Sequence, residues 1–232
     1  MIIRGGVNYI DKGMTASLMA MHLQSEIVSV LNENITGFDK IGYQRQDPIV
    51  SSFSEYVGIH GLSKNIDDQV GRISISENPL DCAISVKGYF QTMDKDGIKL
   101  TRDGRFKLDN QGNLLNLQDA QILSNAGMPI QLPFIPEKLE DIKINAKGEI
   151  RVFNHQTLKQ EYAGTIGVVD ADGRLVTRPE IKQQFSEYSN VSLQNEFLGM
   201  MPIIRNFEAN RQMFLIQNQN LQKVINQLGS AN

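Results

Sequence analysis

The sequence predicts an α+β protein in which long N- and C-terminal helices form a coiled-coil region and bracket a central antiparallel all-β domain. Three observations predict this class: helical spacing of apolar residues near the N-terminus, short apolar runs between glycine-centred turns in the middle, and a heptad pattern near the C-terminus. The 232 residues, 41% of them hydrophobic, suffice for a buried core. We divide the chain into an N-terminal helical segment (1–43), a β-rich domain (44–188) and a C-terminal coiled-coil helix (189–232) that packs with the first helix.

The N-terminal segment has the pattern of an amphipathic helix over about residues 10–36. Apolar side chains recur there at spacings of three, four or multiples of them. The predicted apolar face consists of Met14, Leu18, Met21, Val28, Leu31 and Ile35. The stretch contains no proline, and its one glycine, Gly13, lies near the start. We therefore expect an uninterrupted helix of about six turns.

The middle of the chain predicts antiparallel β-structure. Its apolar residues occur in short runs, such as 83–86, 142–144 and 165–169. The turn-forming pairs between such runs are Asp96-Gly97, Asp103-Gly104, Gln111-Gly112, Lys147-Gly148 and Asp172-Gly173. Because glycine adopts the backbone conformations of tight turns without steric cost, these pairs favour short strands joined by hairpins.

The C-terminal region carries the most regular pattern in the chain. Alternating steps of four and three residues reach eleven positions, nine of them apolar, which predicts a coiled-coil seam of about five heptads. The seam positions are Leu193, Phe197, Met200, Ile204, Phe207, Arg211, Phe214, Asn218, Leu221, Ile225 and Leu228. The polar members, Arg211 and Asn218, are typical of residues that fix helix register. Pro202 is expected to kink the helix or to separate a first short turn from the rest.

Two packing arrangements fit these terminal helices. A C-terminal helix about 55 Å long exceeds what a compact domain of this size buries against itself. The helices therefore either pack on each other or on copies from other molecules, or they cover the sheet of their own monomer in a compact α+β fold.

The composition excludes several classes of protein. The 23 basic and 26 acidic residues give a formal net charge of −3, without the basic excess that nucleic-acid binding requires. The first eight residues lack the apolar run of a secretory signal, and no stretch approaches the roughly 20 apolar residues that cross a bilayer. We expect no nucleic-acid partner and no transmembrane segment.

The sequence contains no motif that indicates catalysis or metal binding. The three histidines, His22, His60 and His155, lie far apart, without the paired spacing of metal ligands. The nucleophile-elbow, dinucleotide-binding and P-loop patterns are absent. Cys82 lies in a predicted strand and is expected to be a small buried hydrophobe. We expect no enzymatic activity and no cofactor.

Four segments resemble, in the same order, motifs of the bacterial flagellar rod and hook axial proteins. Residues 34–43 are similar to that family's Asn-Leu-Ala-Asn-Val-x-Thr-x-Gly-Tyr/Phe segment, with Gly37 and Lys40 in place of Asn and Thr. Residues 80–90 are similar to its Leu-Asp-Val-Ala-Ile-x-Gly-x-Gly-Phe-Phe strand, and residues 100–106 to its Tyr-Thr-Arg-x-Gly-x-Phe segment.

The C-terminal region completes the resemblance. Residues 187–191 and 205–210 are close to the family patterns Leu-Glu-x-Ser-Asn-Val and Arg-x-Tyr/Phe-Glu-Ala-Asn. The motif residues that we carry forward are Asn34, Gly42, Tyr43, Asp81, Gly88, Phe90, Thr101, Arg102, Gly104, Ser189, Asn190, Arg205, Glu208 and Asn210.

The residues themselves add three local expectations. Thr101 to Gly104 should form a sharp turn that uses the conformational freedom of the glycine. Asn190 is expected to cap the long helix. Arg205 and Glu208 have the three-residue spacing of a helix ion pair, which stabilises a lone helix only slightly. In an assembly of subunits we expect Arg205 instead to contact an acidic group or the C-terminal carbonyls of a neighbouring helix.

The resemblance implies a structural subunit of the flagellar basal-body rod. In that family the terminal segments become helices of an inner coiled-coil tube and the β-domain forms the outer layer, so both helix seams are expected to be assembly interfaces. The expected partners are the chain itself, other rod and hook axial subunits, and the flagellar type III export apparatus. The expected location is the basal body, in the periplasm where the cell has an outer membrane. The tube would transmit torque from motor to hook and serve as a conduit for export.

Three points stay open at this stage. The length argues against a hook protein, and the short connection 44–79 favours the proximal-rod over the distal-rod type. Gly13-Met14-Thr15-Ala16 resembles the family's opening Gly-Met-x-Ala but lies about one heptad too far from Gly42. Either the helix has an extra heptad, or residues 1–19 are an extension and Ala20-Met21 is the counterpart. In other classes, a soluble β-domain binding module dimerised through its terminal helices is the alternative, and an unrecognised enzyme comes third.

Overall fold

The computed structural model describes residues 4–50 and 62–229, and only the backbone for residues 4–11. Within these residues the protein is α+β, with a helix toward each end of the chain and an antiparallel β region between them. The predicted class is confirmed at this level. A coiled-coil region stays a prediction.

Both predicted helices are present. Helix α1 spans Arg4–Gly37 and helix α2 spans Leu193–Gly229. Helix α2 continues through Pro202, so this proline does not separate a first short turn from the rest. A proline inside a helix removes one i→i−4 hydrogen bond, and the remaining bonds of this 37-residue helix carry it past that point.

The chain forms two compact units. The helical unit comprises residues 1–36, 46–66 and 192–232, and the β unit comprises residues 37–45 and 67–191. The chain therefore passes between the units at four places. This grouping differs from a simple N-terminal, central and C-terminal order, because residues 46–66 belong with the helices.

The helical unit consists of α1, α2 and a hairpin of strands β1 (Gln46–Val50) and β2 (Leu62–Ile66). The contacts that align the two helices join Asn34 to Glu196, Gln24 to Asn210 and Gly13 to Gln217. Residue numbers decrease along α1 as those of the contacting residues increase along α2, so the two helices run antiparallel.

The β unit contains the remaining described strands, all short. They are β3 (Ile73–Ile75), β4 (Cys82–Ile84), β5 (Tyr89–Asp94), β6 (Gly97–Thr101), β7 (Phe106–Leu108), β8 (Leu114–Asn116), β9 (Gln121–Ile122), β10 (Ile142–Ile144), β11 (Glu149–Asn154), β12 (Lys159–Thr165), β13 (Val168–Val169), β14 (Ile181–Gln183) and β15 (Phe185–Glu187). The largest sheet has the order β13-β5-β9-β8-β7, with β6 also beside β5. Smaller antiparallel ladders are β10-β11-β12, β4-β14 and β3-β15.

One continuous hydrophobic core lies inside the β unit. Phe90 and Phe106 meet edge to face at its centre, with ring centroids 5.1 Å apart. Predicted hairpin turns are confirmed at Asp96-Gly97, between β5 and β6, and at Lys147-Gly148, between β10 and β11. Both glycines have positive φ, as the turn prediction required.

Residues 80–90 do not form one strand, which corrects the sequence interpretation. Strand β4 pairs with β14, the chain then bends over residues 85–88, and β5 begins at Tyr89 and enters the large sheet. Gly88 lies at φ +150°, and a Cβ there would lie 2.8 Å from the Val168 side chain. The motif therefore encodes a bend between two ladders.

Gly104 also has a different role from the predicted one. It is not among the glycines with positive φ. A Cβ on Gly104 would lie only 1.7 Å from the Cys82 carbonyl oxygen, and the Gly104 carbonyl accepts a hydrogen bond from the Cys82 N–H at 2.8 Å. Glycine is required there because two backbone segments approach closely.

The described parts of α1 and α2 contain no stretch that is both long and apolar enough to cross a membrane.

Candidate functional site

Helix α2 presents one stripe of partly or fully buried residues. Steps of four and three from Glu196 give the stripe that is least exposed to solvent: Glu196, Met200, Ile203, Phe207, Asn210, Phe214, Gln217, Leu221 and Val224. Contacts of Glu196, Asn210 and Gln217 with α1 show that this stripe faces the first helix. We call it the inner face of α2.

The predicted seam of α2 lies partly on this inner face and partly beside it. Four predicted residues belong to the inner face: Met200, Phe207, Phe214 and Leu221. Leu193 and Asn218 are half-buried, whereas Phe197, Ile204, Arg211, Ile225 and Leu228 are exposed. Five of the eleven predicted positions are thus displaced by one residue from an inner-face position: Phe197, Ile204, Arg211, Asn218 and Ile225.

The predicted face of α1 is mostly covered. Leu31 is buried, and Met14, Met21, Val28 and Ile35 are half-buried. Leu18 is the exception and is 49% exposed. Near the middle of the helix, Val28 lines a surface groove of about 220 Å³ with Ile204 and Phe207 of α2.

Helix α2 leaves a large apolar surface open to solvent. Nine large side chains on it are 44–58% exposed: Phe197, Leu198, Met201, Ile204, Met213, Leu215, Ile216, Ile225 and Leu228. Exposed apolar surface of this extent on one helix is typical of an interaction site. We call these nine residues the outer face of α2.

Asn34 joins the three elements of the helical unit. Its side-chain oxygen accepts the N–H of Gln46 at 2.9 Å, and its amide group donates to the Gln46 carbonyl at 2.9 Å and to Glu196 Oε2 at 3.1 Å. Both Asn34 and Glu196 are fully buried. This motif asparagine therefore ties the end of α1 to β1 and to the first turn of α2. The sequence analysis did not single out Glu196.

Arg102 is buried inside the β unit, which the sequence interpretation as a surface turn missed. Its guanidinium group pairs with the carboxylate of Glu187, with Nη2–Oε2 at 2.6 Å and Nε–Oε2 at 2.8 Å. It also donates to the carbonyl oxygens of Ile84, Val86 and Gly88. These carbonyls lie along the bend between β4 and β5, so Arg102 supplies the hydrogen bonds that a continuous ladder would have supplied.

Asp81 fixes the other side of the same bend. Its carboxylate accepts hydrogen bonds from Ser76 Oγ at 2.6 Å, from the Asn78 amide at 2.8 Å and from Ser186 Oγ at 3.1 Å. Thr101 Oγ1 accepts the N–H of Asp103, which confirms a turn at this position. The motif residues of the β unit thus form hydrogen bonds around the bend and the strand ends.

The segments that lead toward the helical unit are tied together within the β unit. We call residues 37–45, 67–72 and 187–191 the junction. The Glu187 carbonyl accepts the N–H of Gly42 at 2.8 Å, and Glu187 Oε1 accepts the N–H of Gly71 at 2.8 Å. Gly42 has φ +71°, and Gly37 leaves room for the Tyr43 ring. Glu187 therefore connects all three segments to Arg102.

Asn190 belongs to this junction and does not cap α2, which corrects the prediction. Its side-chain oxygen accepts the N–H of Arg45 at 2.7 Å, and its amide group donates to the carbonyls of Asp67 and Gln69, each at 3.1 Å. Because α2 begins only at Leu193, Asn190 lies too far from the helix to cap it.

Ser189, the preceding residue of the junction, forms a local hydrogen bond with the backbone. Its Oγ accepts the N–H of Val191 at 3.1 Å. At the start of α2, the Glu196 N–H donates a hydrogen bond to the Ser192 carbonyl at 3.0 Å.

The last motif segment lies on α2. Glu208 is 3.4 Å from the guanidinium group of Arg211, and the contact of Arg205 with a neighbouring helix stays a prediction. Arg205 and Arg211 are each three residues from Glu208 on the helix surface, and sequence alone does not decide which of them pairs with it. Asn210 donates to Gln24 Oε1 of α1 at 3.3 Å, and Arg205 is exposed.

The prediction that Cys82 is a small buried side chain is confirmed. Cys82 is buried, and this burial raises the pKa of its thiol, which the neighbouring Asp81 carboxylate raises further. His22 is exposed on α1, 3.3 Å from Glu26. Among the described residues, no cluster of His, Cys, Asp and Glu could hold a metal ion.

Comparisons with known proteins agree with this architecture. The family model described as the flagellar hook protein FlgE/F/G D1 domain matches residues 83–152, and that of the flagellar basal body rod FlgEFG protein C-terminal region matches residues 182–228. Together the two matches cover about half of the chain. The first contains the bend at Gly88 with Arg102, and the second contains most of β14, β15 and α2.

Relatives match over most of their length. The flagellar basal-body rod protein FlgG of Bacillus subtilis is 25% identical over 242 aligned positions, which cover 85% of this chain and 90% of that protein. The rod protein FlgF of Mesorhizobium japonicum is 27% identical over 202 positions, covering 78% and 80%. FlgF of Rhizobium meliloti is 24% identical over 249 positions, covering 94% and 98%.

A unit built on the two terminal helices, a separate β unit and motif residues at the bend and the junction are together consistent with a flagellar axial protein of the rod and hook type. The chain belongs to the flagellar basal-body rod protein family.

Proposed function

We propose that this chain is a structural subunit of the flagellar basal-body rod and polymerises into a helical axial tube that transmits torque from motor to hook and encloses an export path. The outer face of α2 carries this proposal. A helix pair with nine large, half-exposed apolar side chains is poorly suited to remain alone in water. Such a surface gains burial when the subunit associates with further helices.

The outer face is large enough for a specific interface. If a large apolar side chain presents roughly 200 Å², nine that are about half exposed offer on the order of 900 Å². A specific interface of ordinary size buries about 800 Å² per partner. The open apolar area on α2 is therefore of this order in total, and because its residues lie on several sides of the helix, more than one neighbouring helix can bury it.

The proposal assigns the two units to different layers. The α1–α2 pair lies in the inner tube, where both helix seams serve as assembly interfaces, and the β unit forms the outer layer. The partners are other copies of the chain, other rod and hook subunits and the flagellar type III export apparatus. The location is the basal body, in the periplasm where an outer membrane is present. The short connection 44–79 supports the proximal-rod type.

A matched pair of α2 variants tests the proposal. Ile204→Glu places a charge on the outer face. Asn206→Asp places the same charge at an exposed polar position of the same helix that has no outer-face residue three or four positions away. We expect both unassembled chains to keep the circular dichroism and melting temperature of the wild type, since neither site is buried. Only Ile204→Glu should abolish rods in electron micrographs of basal bodies and stop swimming.

The outcome that contradicts the proposal is equally specific. Normal rods and swimming in the Ile204→Glu strain would show that the outer face is not packed in the rod. The protein's absence from purified basal bodies, together with a discrete dimer that Ile204→Glu dissociates, would instead favour the binding module.

The division into assembly helices at both ends (1–43 and 189–232) and a separately folding centre (44–188) is also part of the proposal. Limited proteolysis of the unassembled chain should then trim both ends first and leave a β-rich fragment. First cleavage within residues 67–191, with intact ends, would contradict this division.

A further inference from the structure

A groove of about 620 Å³ opens on the β unit beside the turn between β10 and β11. Its wall is largely apolar and carries two cationic side chains, and the described residues that line it include no acidic one. We call it the cationic groove, formed mainly by Lys147, Ile166, Val168, Leu175, Val176 and Arg178. Its volume is in the range of sites that take a small ligand or a short peptide segment.

The charges of the cationic groove have no partner within the part of the chain that the structure describes. Lys147 and Arg178 are exposed, and neither belongs to an ion pair among the described residues. Leu175, on the rim, is 53% exposed. The groove thus combines unpaired positive charge with open apolar surface, which suits an acidic segment that also carries an apolar side chain.

A segment with this chemistry lies elsewhere in the β unit. In residues 134–140, which we call the acidic loop, Ile135 and Leu139 are 56% and 41% exposed. Glu137 and Glu140 are exposed and form no ion pair among the described residues. Phe134 packs against the hydrophobic core and so fixes the start of the loop.

The acidic loop and the cationic groove lie at opposite ends of the same strand. The groove includes Lys147, just before β11, whereas the loop borders a pocket lined by Phe153 to Gln156, at the other end of β11. At about 3.3 Å per residue, the six residues of β11 hold the two surfaces about 20 Å apart. The loop of one molecule therefore does not reach its own groove.

We propose that the cationic groove of one copy receives the acidic loop of a second copy, in a head-to-tail contact between β units. Lys147 and Arg178 pair with Glu137 and Glu140, and Ile135 enters the apolar part of the groove. A contact between opposite ends of identical molecules repeats without closing on itself, which generates an open series of subunits. This inference rests on the proposed function, because the helical tube supplies neighbouring copies at high local concentration.

Cysteine cross-linking in assembled basal bodies tests the contact directly. The variant Ile135→Cys/Leu175→Cys places one thiol on the loop and one at the groove, and the native Cys82 is 1% exposed and does not compete. Mild oxidation of basal bodies from this strain should give a ladder at multiples of 26 kDa on a non-reducing gel. The matched control, Ile98→Cys/Leu175→Cys, uses an equally exposed residue of β6 and should give no ladder.

A charge exchange tests the chemistry. The groove variant Lys147→Glu/Arg178→Glu and the loop variant Glu137→Lys/Glu140→Lys should each reduce the number of rods per cell at least tenfold. The chain that carries all four substitutions should recover rods, because its groove and loop are again complementary.

Each outcome decides the inference. The ladder in the loop–groove variant, together with recovery in the fourfold variant, supports it. A missing ladder in basal bodies that contain the protein, an equal ladder in the control, or a loop variant with normal rods overturns it and leaves the proposed function intact. Absence of the protein from basal bodies overturns both.

Discussion

The buried pair of Arg102 and Glu187 should dominate the response of the β unit to single substitutions. We consider Glu187→Gln, which keeps the size of the side chain and removes its charge. Both partners are almost fully buried, with side-chain exposures of 1% and 3%. The substitution leaves the guanidinium group without a counter-charge, and breaking a buried pair in this way costs about 3–5 kcal/mol.

This cost is a large fraction of the stability of a typical domain, which is about 5–15 kcal/mol. With an m-value of about 2 kcal/mol/M in urea, a loss of 4 kcal/mol moves the unfolding midpoint by about 2 M. Urea unfolding of the unassembled full-length chain, followed by near-ultraviolet circular dichroism of its tyrosines, measures this shift. The chain has six tyrosines and no tryptophan.

A matched control separates burial from charge removal. Asp103→Asn makes the same acid-to-amide change in the ion pair of Asp103 with Arg105, whose side chains are 20% and 35% exposed. Because solvent screens a partly exposed pair, it should cost no more than about 1 kcal/mol. A loss under 1 kcal/mol for Glu187→Gln, equal to that of the control, would refute this reasoning.

Four further substitutions have clear expectations. Arg205→Ala should change the melting temperature of the unassembled chain by no more than the error, because Arg205 is exposed, and should reduce rod numbers in basal bodies. Gly104→Ala should prevent stable folding of the β unit by near-ultraviolet circular dichroism, since its Cβ would overlap a backbone carbonyl. Gly199→Ala, with open space around it in α2, should raise helix stability by about 1 kcal/mol. Hydrogen bonds, chiefly the one from the Asn113 side chain, lower the pKa of the Asp109 carboxyl below 3.8. The stability that ionised Asp109 contributes to the folded chain is therefore present above pH 3.8 and is lost as the pH falls through the lowered pKa. Asp109→Asn should therefore weaken the acid dependence of unfolding below pH 4, as measured by urea midpoints.

Elements with strong periodicity could be predicted from the sequence. Both terminal helices follow from apolar spacing over many turns, and the hairpins at Gly97 and Gly148 follow from turn chemistry. The hairpin of β1 and β2 could not be predicted as part of the helical unit, because its partners are distant in sequence. Asn34 holds β1 to α1 through hydrogen bonds that no local pattern reveals.

The roles of the motif residues could be predicted only in part. The order of the motifs led to the family, but not to what each side chain contacts. Arg102 and Asn190 were interpreted from neighbouring residues as a turn residue and a helix cap. Both instead bind segments 14 to 145 residues away in sequence. A signal for Arg102 was available, since Glu187 belongs to another motif segment and a buried cation requires an acidic partner.

The sequence did not determine which side of α2 contacts α1. Met200, Phe207, Phe214 and Leu221 form one row along the helix. At 100° per residue, the row containing Ile203 lies about 60° to one side of it and the row containing Ile204 about 40° to the other. Both rows have heptad spacing, so periodicity alone does not decide which of them meets α1.

The same geometry explains how one helix can serve two partners. The row with Ile203 faces α1 and the row with Ile204 is mostly exposed, while the row between them borders both. A further helix that packs on the Ile204 side would therefore share the central row with α1 and need not displace it. In the proposed tube, α2 would then keep its contact with α1 and gain a second one, so assembly would add buried apolar surface without first breaking the helix pair.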